Sequence, residues 1–157
     1  MTKTDLLVGV ISDTHGLLRP AALAALRGSD LIIHAGDVGL PELLDPLRAL
    51  APTFVVRGDV DGGRWADALP MTQLVEAGEL LFYVLHDIAQ LDLDPAAAGF
   101  AAVIYGHSHR PSIETRDGVL YLNPGSAGPR RFTLPVSLAK VRVSGRDASA
   151  EIVTLDV

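Results

Sequence analysis

The feature that most constrains this chain is a set of short apolar runs that each stop at a glycine, an aspartate or a histidine. The first is Leu6-Leu7-Val8-Gly9-Val10-Ile11, followed by Ser12-Asp13-Thr14-His15-Gly16. A run that brief and that apolar reads as a strand buried on both faces. Asp13 and His15 lie just past its end. Two residues apart on an extended backbone, their side chains point the same way. A carboxylate oxygen and an imidazole nitrogen can then reach one cation of borderline softness. Taken alone, Asp-x-His reads as a surface loop. Its weight comes from further runs that end in the same kind of residue.

With 157 residues, of which 48% are hydrophobic, the chain can bury a sizeable core as one domain spanning 1–157. The net charge of -6 argues against a protein that coats nucleic acid by general electrostatics. There is no cysteine, so a metal would be held by oxygen and nitrogen alone. No apolar run approaches the ~20 residues of a membrane-spanning helix. The first residues lack the apolar core of a secretory signal. The expected location is cytoplasmic, with no membrane partner.

Along the chain, residues 20–28 read as a short helix, with Pro20 in its first turn and Gly28 as a left-handed stop. Residues 30–35 form a second buried strand that delivers Gly36-Asp37. Residues 41–50 have helical spacing, with a break expected at Pro46 and Asp45 capping the second piece. Residues 53–57 are a third strand, ending in Gly58-Asp59-Val60-Asp61. This alternation predicts a parallel sheet with right-handed crossovers and a site beyond the carboxyl ends of its strands. Residues 72–76 and 80–85 then read as a hairpin around Ala77-Gly78-Glu79, and the second strand runs into His86-Asp87. Asp94-Pro95 opens a brief alanine-rich helix. Residues 102–105 form a strand that ends in Gly106-His107-Ser108-His109. Residues 119–122 follow, then Asn123-Pro124-Gly125-Ser126, and a closing hairpin spans 136–143 and 148–157. The expected fold is α/β: two mixed β-sheets packed face to face with helices outside, in four layers α/β/β/α.

Asp13 and His15, Gly36-Asp37, Gly58-Asp59, His86, and His107 with His109 now stand in order, each after a buried strand. The set resembles the signature of the calcineurin-like metallophosphoesterases, and within them the small bacterial and archaeal phosphodiesterases without an accessory domain. The match runs from about Leu6 to Ser126. The resemblance implies a phosphoesterase dependent on two divalent ions, hydrolysing phosphodiesters by attack of a hydroxide shared between them. It assigns Asp13, His15 and His109 to one ion and Asp59, His86 and His107 to the other, with Asp37 bridging. Asp37, Asp59 and His107 would be central to the reaction. Manganese is the expected metal, with nickel, iron and zinc as alternatives. Two such ions about 3.5–4 Å apart need a shared carboxylate to offset their repulsion. The implied substrate is a small phosphodiester, and a homo-oligomer is compatible with the pattern. The alternative from another class is a catalytically weak interaction scaffold, since the retromer scaffold subunit of eukaryotes resembles the same fold.

Two positions depart from the family pattern. Asp59 stands where the family usually has asparagine, which adds a negative charge and removes a donor. Asp87 follows His86 where relatives usually carry glycine, and reads either as an orienting carboxylate or as a solvated loop residue. Val60 occupies the place where many phosphatases of the family hold a proton-donating histidine, which points to diesters with activated leaving groups. His34 reads as a structural histidine and Trp65 as core closure. Arg130 and Arg131 are the candidate phosphate contacts. No segment is long enough for a cap, so the expected site is open.

Overall fold

The apolar runs become strands because their residues alternate between two faces that are both covered. The computed structural model describes residues 5–157. Strands β1 (Asp5–Ile11), β2 (Leu31–His34) and β3 (Thr53–Val55) pair in parallel, with Val8 opposite Leu31 and Ile32 opposite Thr53. The second half supplies β4 (Thr72–Ala77), β5 (Leu80–Leu85), β6 (Ala102–Ile104), β7 (Ser112–Arg116) and β8 (Val119–Asn123). The closing hairpin is β9 (Ser137–Ser144) and β10 (Asp147–Thr154). Its strands join the first sheet, in the order β10-β9-β1-β2-β3, while the second sheet runs β4-β5-β6-β8-β7. In the second sheet β5, β6 and β8 are parallel, and antiparallel β4 and β7 form the edges.

Val8 and Val10 of β1, Ile33 of β2, Phe82 and Val84 of β5 and Leu122 of β8 fill the space between the sheets. The alternate residues face outward. Ile11 and Ile32 pack under helices α1 (Pro20–Leu26) and α2 (Leu44–Leu50), which contribute Ala22, Leu26, Leu44 and Leu47. Trp65, on the one-turn helix α3 (Arg64–Asp67), is half-buried against the same cluster, as core closure requires. On the far side, Tyr83, Leu85, Val103 and Tyr121 are covered by Ile88, Leu91 and Phe100. The two mixed sheets with flanking helices are those expected from the sequence. The layer over the second sheet, however, is a 3-10 turn, Ile88–Gln90, and the segment 94–100.

That segment corrects one expectation. Asp94-Pro95 starts hydrogen-bonded turns rather than a helix, with Phe100 N–H donating to the Pro95 carbonyl. Ala96, Ala97 and Ala98 are exposed, so a helix here would bury no apolar face, and Gly99 at φ +81° ends the run. The stack of Phe100 on Tyr83, with ring centres 5.2 Å apart, fastens it instead. A second correction concerns Pro46. The break falls earlier, between a 3-10 turn at Pro41–Leu43 and α2. Pro46 is the third residue of α2, where a backbone N–H has no intrahelical partner, so the ring is tolerated. Asp45 lies inside that first turn and does not cap it; the preceding Leu43 makes no side-chain cap.

Candidate metal centre

Each sheet holds three mutually parallel strands, and five of these six are followed by candidate ligands. Past β1 stand Asp13 and His15, past β2 Asp37, past β3 Asp59, past β5 His86, and past β6 His107 and His109. Backbone pairing continues beyond the strands: Asp13 N–H donates to Gly36 carbonyl at 3.0 Å, and His15 N–H to Asp37 carbonyl at 3.0 Å. The loops are so close that glycine is obligatory between them. A Cβ on Gly58 would fall on the Asp37 backbone, and one on Gly106 would fall on the Ser12 and Asp13 side chains.

Asp13 and His15 do converge, but not on the extended backbone expected from the sequence. Asp13 (φ 54°), His15 (φ 46°), Asp37 (φ 57°), His107 (φ 72°) and His109 (φ 64°) are all left-handed. Aspartate and histidine enter that region more readily than most residues, yet each instance costs on the order of 1 kcal/mol or more. Five instances in one cluster mark a place where the surrounding hydrogen bonds hold an unfavourable backbone to aim side chains.

Each buried aspartate divides its oxygens. Asp13 Oδ2 accepts from Ser12 Oγ at 2.6 Å and from His107 N–H at 3.1 Å. Its Oδ1 lies 3.3 Å from His109 Nε2 and 3.7 Å from His15 Nε2. Asp37 Oδ1 accepts from Val60 N–H at 2.9 Å. Its Oδ2 lies 3.2 Å from His86 Nε2 and 3.7 Å from His15 Nε2. Asp59 is exposed, with Oδ2 2.9 Å from His107 Nδ1 and 3.7 Å from His86 Nε2. Three groups of potential ligands result: Asp13-His15-His109, Asp59-His86-His107, and between them Asp13-Asp37-His86.

His86 Nδ1 donates to the Ala35 carbonyl at 2.7 Å, since that oxygen can only accept. Its Nε2 therefore faces the carboxylates. Burial works against a charged ring, but the Asp37 carboxylate, the Ala35 carbonyl and Asp13 outweigh it and raise the pKa to about 9. Burial likewise opposes the charge on Asp13, yet His109, His15 and Ser12 hold its carboxyl far below the usual range. For Asp37 burial is outweighed by His86 and the Val60 N–H, and its pKa is lowered. The cluster thus calls for positive charge. Among the described residues, every ion pair of Asp13, Asp37 and Asp59 is with a histidine rather than a lysine or arginine. Asp13 Oδ1 and His86 Nε2 are buried without a hydrogen-bond partner. Oxygen and nitrogen donors around orphaned polar atoms fit a borderline divalent cation.

The surrounding residues fall into place around this cluster. His34 is fully buried and structural: its Nδ1 accepts from Gly36 N–H at 3.1 Å, so Nε2 donates to Thr14 Oγ1 at 3.0 Å. Burial lowers its pKa to about 4 and keeps it neutral. Asp87 Oδ1 caps the 3-10 turn through Ala89 N–H at 3.0 Å, which is the loop role, while Oδ2 is 3.9 Å from His107 Nε2. Arg130 donates to the Val157 carbonyl at 3.2 Å, and neither Arg130 nor Arg131 lines the cavity beside the cluster. Two contributors were not read from the sequence. Asp61, 3% exposed, accepts from the N–H groups of Val38, Gly39 and Gly58 and ties the β2 and β3 loops together. Asn123 donates to Gly106 carbonyl at 2.9 Å and to Ser108 Oγ at 3.1 Å, bracing the loop of His107 and His109. Its position in Asn123-Pro124-Gly125-Ser126 was the available signal.

The profile of the calcineurin-like phosphoesterase superfamily domain matches residues 6–146. The chain belongs to that superfamily. It is 34% identical over 160 residues to a probable metallophosphoesterase of Methanothermobacter thermautotrophicus, covering 94% of this chain and 92% of the relative. It is 30% identical over 137 residues to a phosphodiesterase of Methanocaldococcus jannaschii, covering 75% of this chain and 82% of that protein. Among solved structures, it is similar to a predicted phosphoesterase of Streptococcus pneumoniae, with a TM-score of 0.74 and 27% identity over 98% of this chain and 91% of that one. The metallophosphoesterase family, the fold and a cluster able to hold metal therefore agree. No helix among the described residues is long and apolar enough to cross a membrane.

Proposed function

We propose that this metallophosphoesterase hydrolyses small phosphodiesters with two divalent ions, manganese being the expected metal. The observation that carries the reading is Asp37 Oδ2, which lies 3.7 Å from His15 Nε2 and 3.2 Å from His86 Nε2. One carboxylate oxygen thereby reaches a histidine of each outer ligand group. Asp13, His15 and His109 would hold one ion, and Asp59, His86 and His107 the other, with Asp37 shared. Bound there, such ions lower the pKa of water towards neutrality and offset charge on the phosphoryl oxygens.

The chain's own residues set the limits of the chemistry. The Ala35 carbonyl fixes His86 so that Nε2 faces the cluster. The Val60 N–H holds Asp37 Oδ1 and leaves Oδ2 for binding. Val60 itself is 55% exposed and has no proton to give a leaving group. A diester with a good leaving group does not need one, and its single negative charge suits a site that carries three carboxylates. Metal analysis by plasma mass spectrometry is expected to find two ions per chain in the parent and none in Asp37→Ala. With manganese, bis-p-nitrophenyl phosphate is expected to turn over faster than p-nitrophenyl phosphate. One metal or fewer in the parent, two retained in the variant, or faster monoester turnover would each overturn the reading.

A further inference from the structure

A cavity of about 610 Å3 opens beside the cluster, walled in part by Asp59 and His86. Its volume is in the range that holds a small ligand. His86 is 5% exposed, and its Nε2 has no hydrogen-bond partner. Because Asp59 and His86 line it, the cavity adjoins the place where a phosphate would bind, and what fills it would be the organic part of the substrate.

Its lining has an uneven charge. Met71, Tyr83 and Leu85 give apolar and polarisable surface, while Asp87 and Asp92 bring carboxylates in addition to Asp59. Arg57 is the one arginine or lysine among the lining residues. Its guanidinium is turned to Asp67 Oδ1 at 3.1 Å and to the Asp61 carbonyl at 3.2 Å. With Asp59 assigned to the cluster and Arg57 engaged by Asp67, the lining keeps the charge of Asp87, whose Oδ1 also caps the 3-10 turn, and that of Asp92. Carboxylates beside apolar surface attract an alkylammonium group and disfavour a second anionic group.

We infer that this cavity selects phosphodiesters whose second ester carries a compact alkylammonium group. The inference rests on the diesterase reading for its substrate and adds a class to it. Asp92, which is exposed in the lining and is not a candidate ligand, is the specificity-determining residue best placed to test the idea.

The test uses the manganese-loaded full chain and two p-nitrophenyl diesters of equal shape. One is p-nitrophenylphosphorylcholine; the other is its neutral carbon isostere, 3,3-dimethylbutyl p-nitrophenyl phosphate. The choline ester is expected to have a kcat/KM about tenfold higher at low salt, and the ratio should shrink as salt screens the carboxylates. In Asp92→Asn the ratio should fall towards unity. In parallel, calorimetric titration with phosphorylcholine and with 3,3-dimethylbutyl phosphate should show the same preference in Kd. Hydrolysis of both esters with a ratio near one, or with the neutral ester favoured, overturns this inference and leaves the diesterase reading intact. If neither ester is hydrolysed but phosphorylcholine binds preferentially and loses that preference in Asp92→Asn, the diesterase reading fails and the pocket assignment stands. No preference in either measurement overturns it.

Discussion

Asp13 and Asp37 each commit one oxygen to the protein and leave the other for the cluster. Asp59 has no such anchor among the described residues: it is exposed and meets only histidine nitrogens. Its carboxylate therefore acts chiefly as charge. Replacing it with asparagine removes one negative charge from the ligand set and supplies an amide donor beside the phosphate. Asp59→Asn is expected to weaken manganese binding in a metal titration and, at saturating manganese, to raise kcat/KM and move the pH optimum down. A well-aligned donor acting on developing charge is worth about 3 kcal/mol, or roughly a hundredfold. A variant slower than the parent at every pH and saturating metal would show instead that the carboxylate is tuned to this enzyme's substrate. At this scale the residues that converge on the cluster were legible, because aspartate and histidine after buried strands are unusual residues in a telling place. Their backbone was not. An alternation rule presumes extended residues, whereas Asp13 and His15 reach the cluster from left-handed conformations that only the folded neighbours impose.

Between strands, short segments hold the ligand loops in register. Asn123, at the end of β8, donates to Gly106 carbonyl and Ser108 Oγ, and its own Oδ1 accepts from Gly125 N–H at 2.9 Å. Ser126 Oγ donates to the Asp13 carbonyl at 2.8 Å. The Asn-Pro-Gly-Ser turn therefore braces the loops of Asp13 and of His107 and His109 at once. Partners of this kind typically account for 10–100-fold in metal affinity. Asn123→Ala is expected to weaken manganese binding within that range, read by titration, while the chain stays folded by circular dichroism. Unchanged affinity would make the turn merely a chain reversal. Elements with an apolar signature were readable, and those without one were not. β7 has the polar sequence Ser112-Ile113-Glu114-Thr115-Arg116 and is exposed along most of its length, so only its pairing with β8 makes it a strand. The alanines after Pro95 had a helical composition but no face to bury. Pro46 looked like a break because sequence spacing does not show which turn of a helix a proline will occupy.

At the scale of the molecule, the candidate ligands divide between the two sheets. Asp13, His15, Asp37 and Asp59 follow strands of the first sheet, and His86, His107 and His109 follow strands of the second. Both outer ligand groups take members from each sheet. A bound ion would therefore clamp the sandwich at one end, and its binding energy would add to the energy of the inter-sheet core. Ligand present at 100 times its Kd stabilises the folded state by about 2.7 kcal/mol per site. For a domain of this size that corresponds to a rise in Tm of about 5–10 °C. Manganese is expected to raise Tm by at least that amount over chelator-treated protein. Hydrogen exchange should slow in the loops after β1, β2, β3, β5 and β6 together, and stay unchanged at the Gly145-Arg146 turn of the closing hairpin. Protection confined to the loops of one sheet would mean that the ion is held on that sheet alone, and the division of ligands across the sandwich would then not describe the bound state.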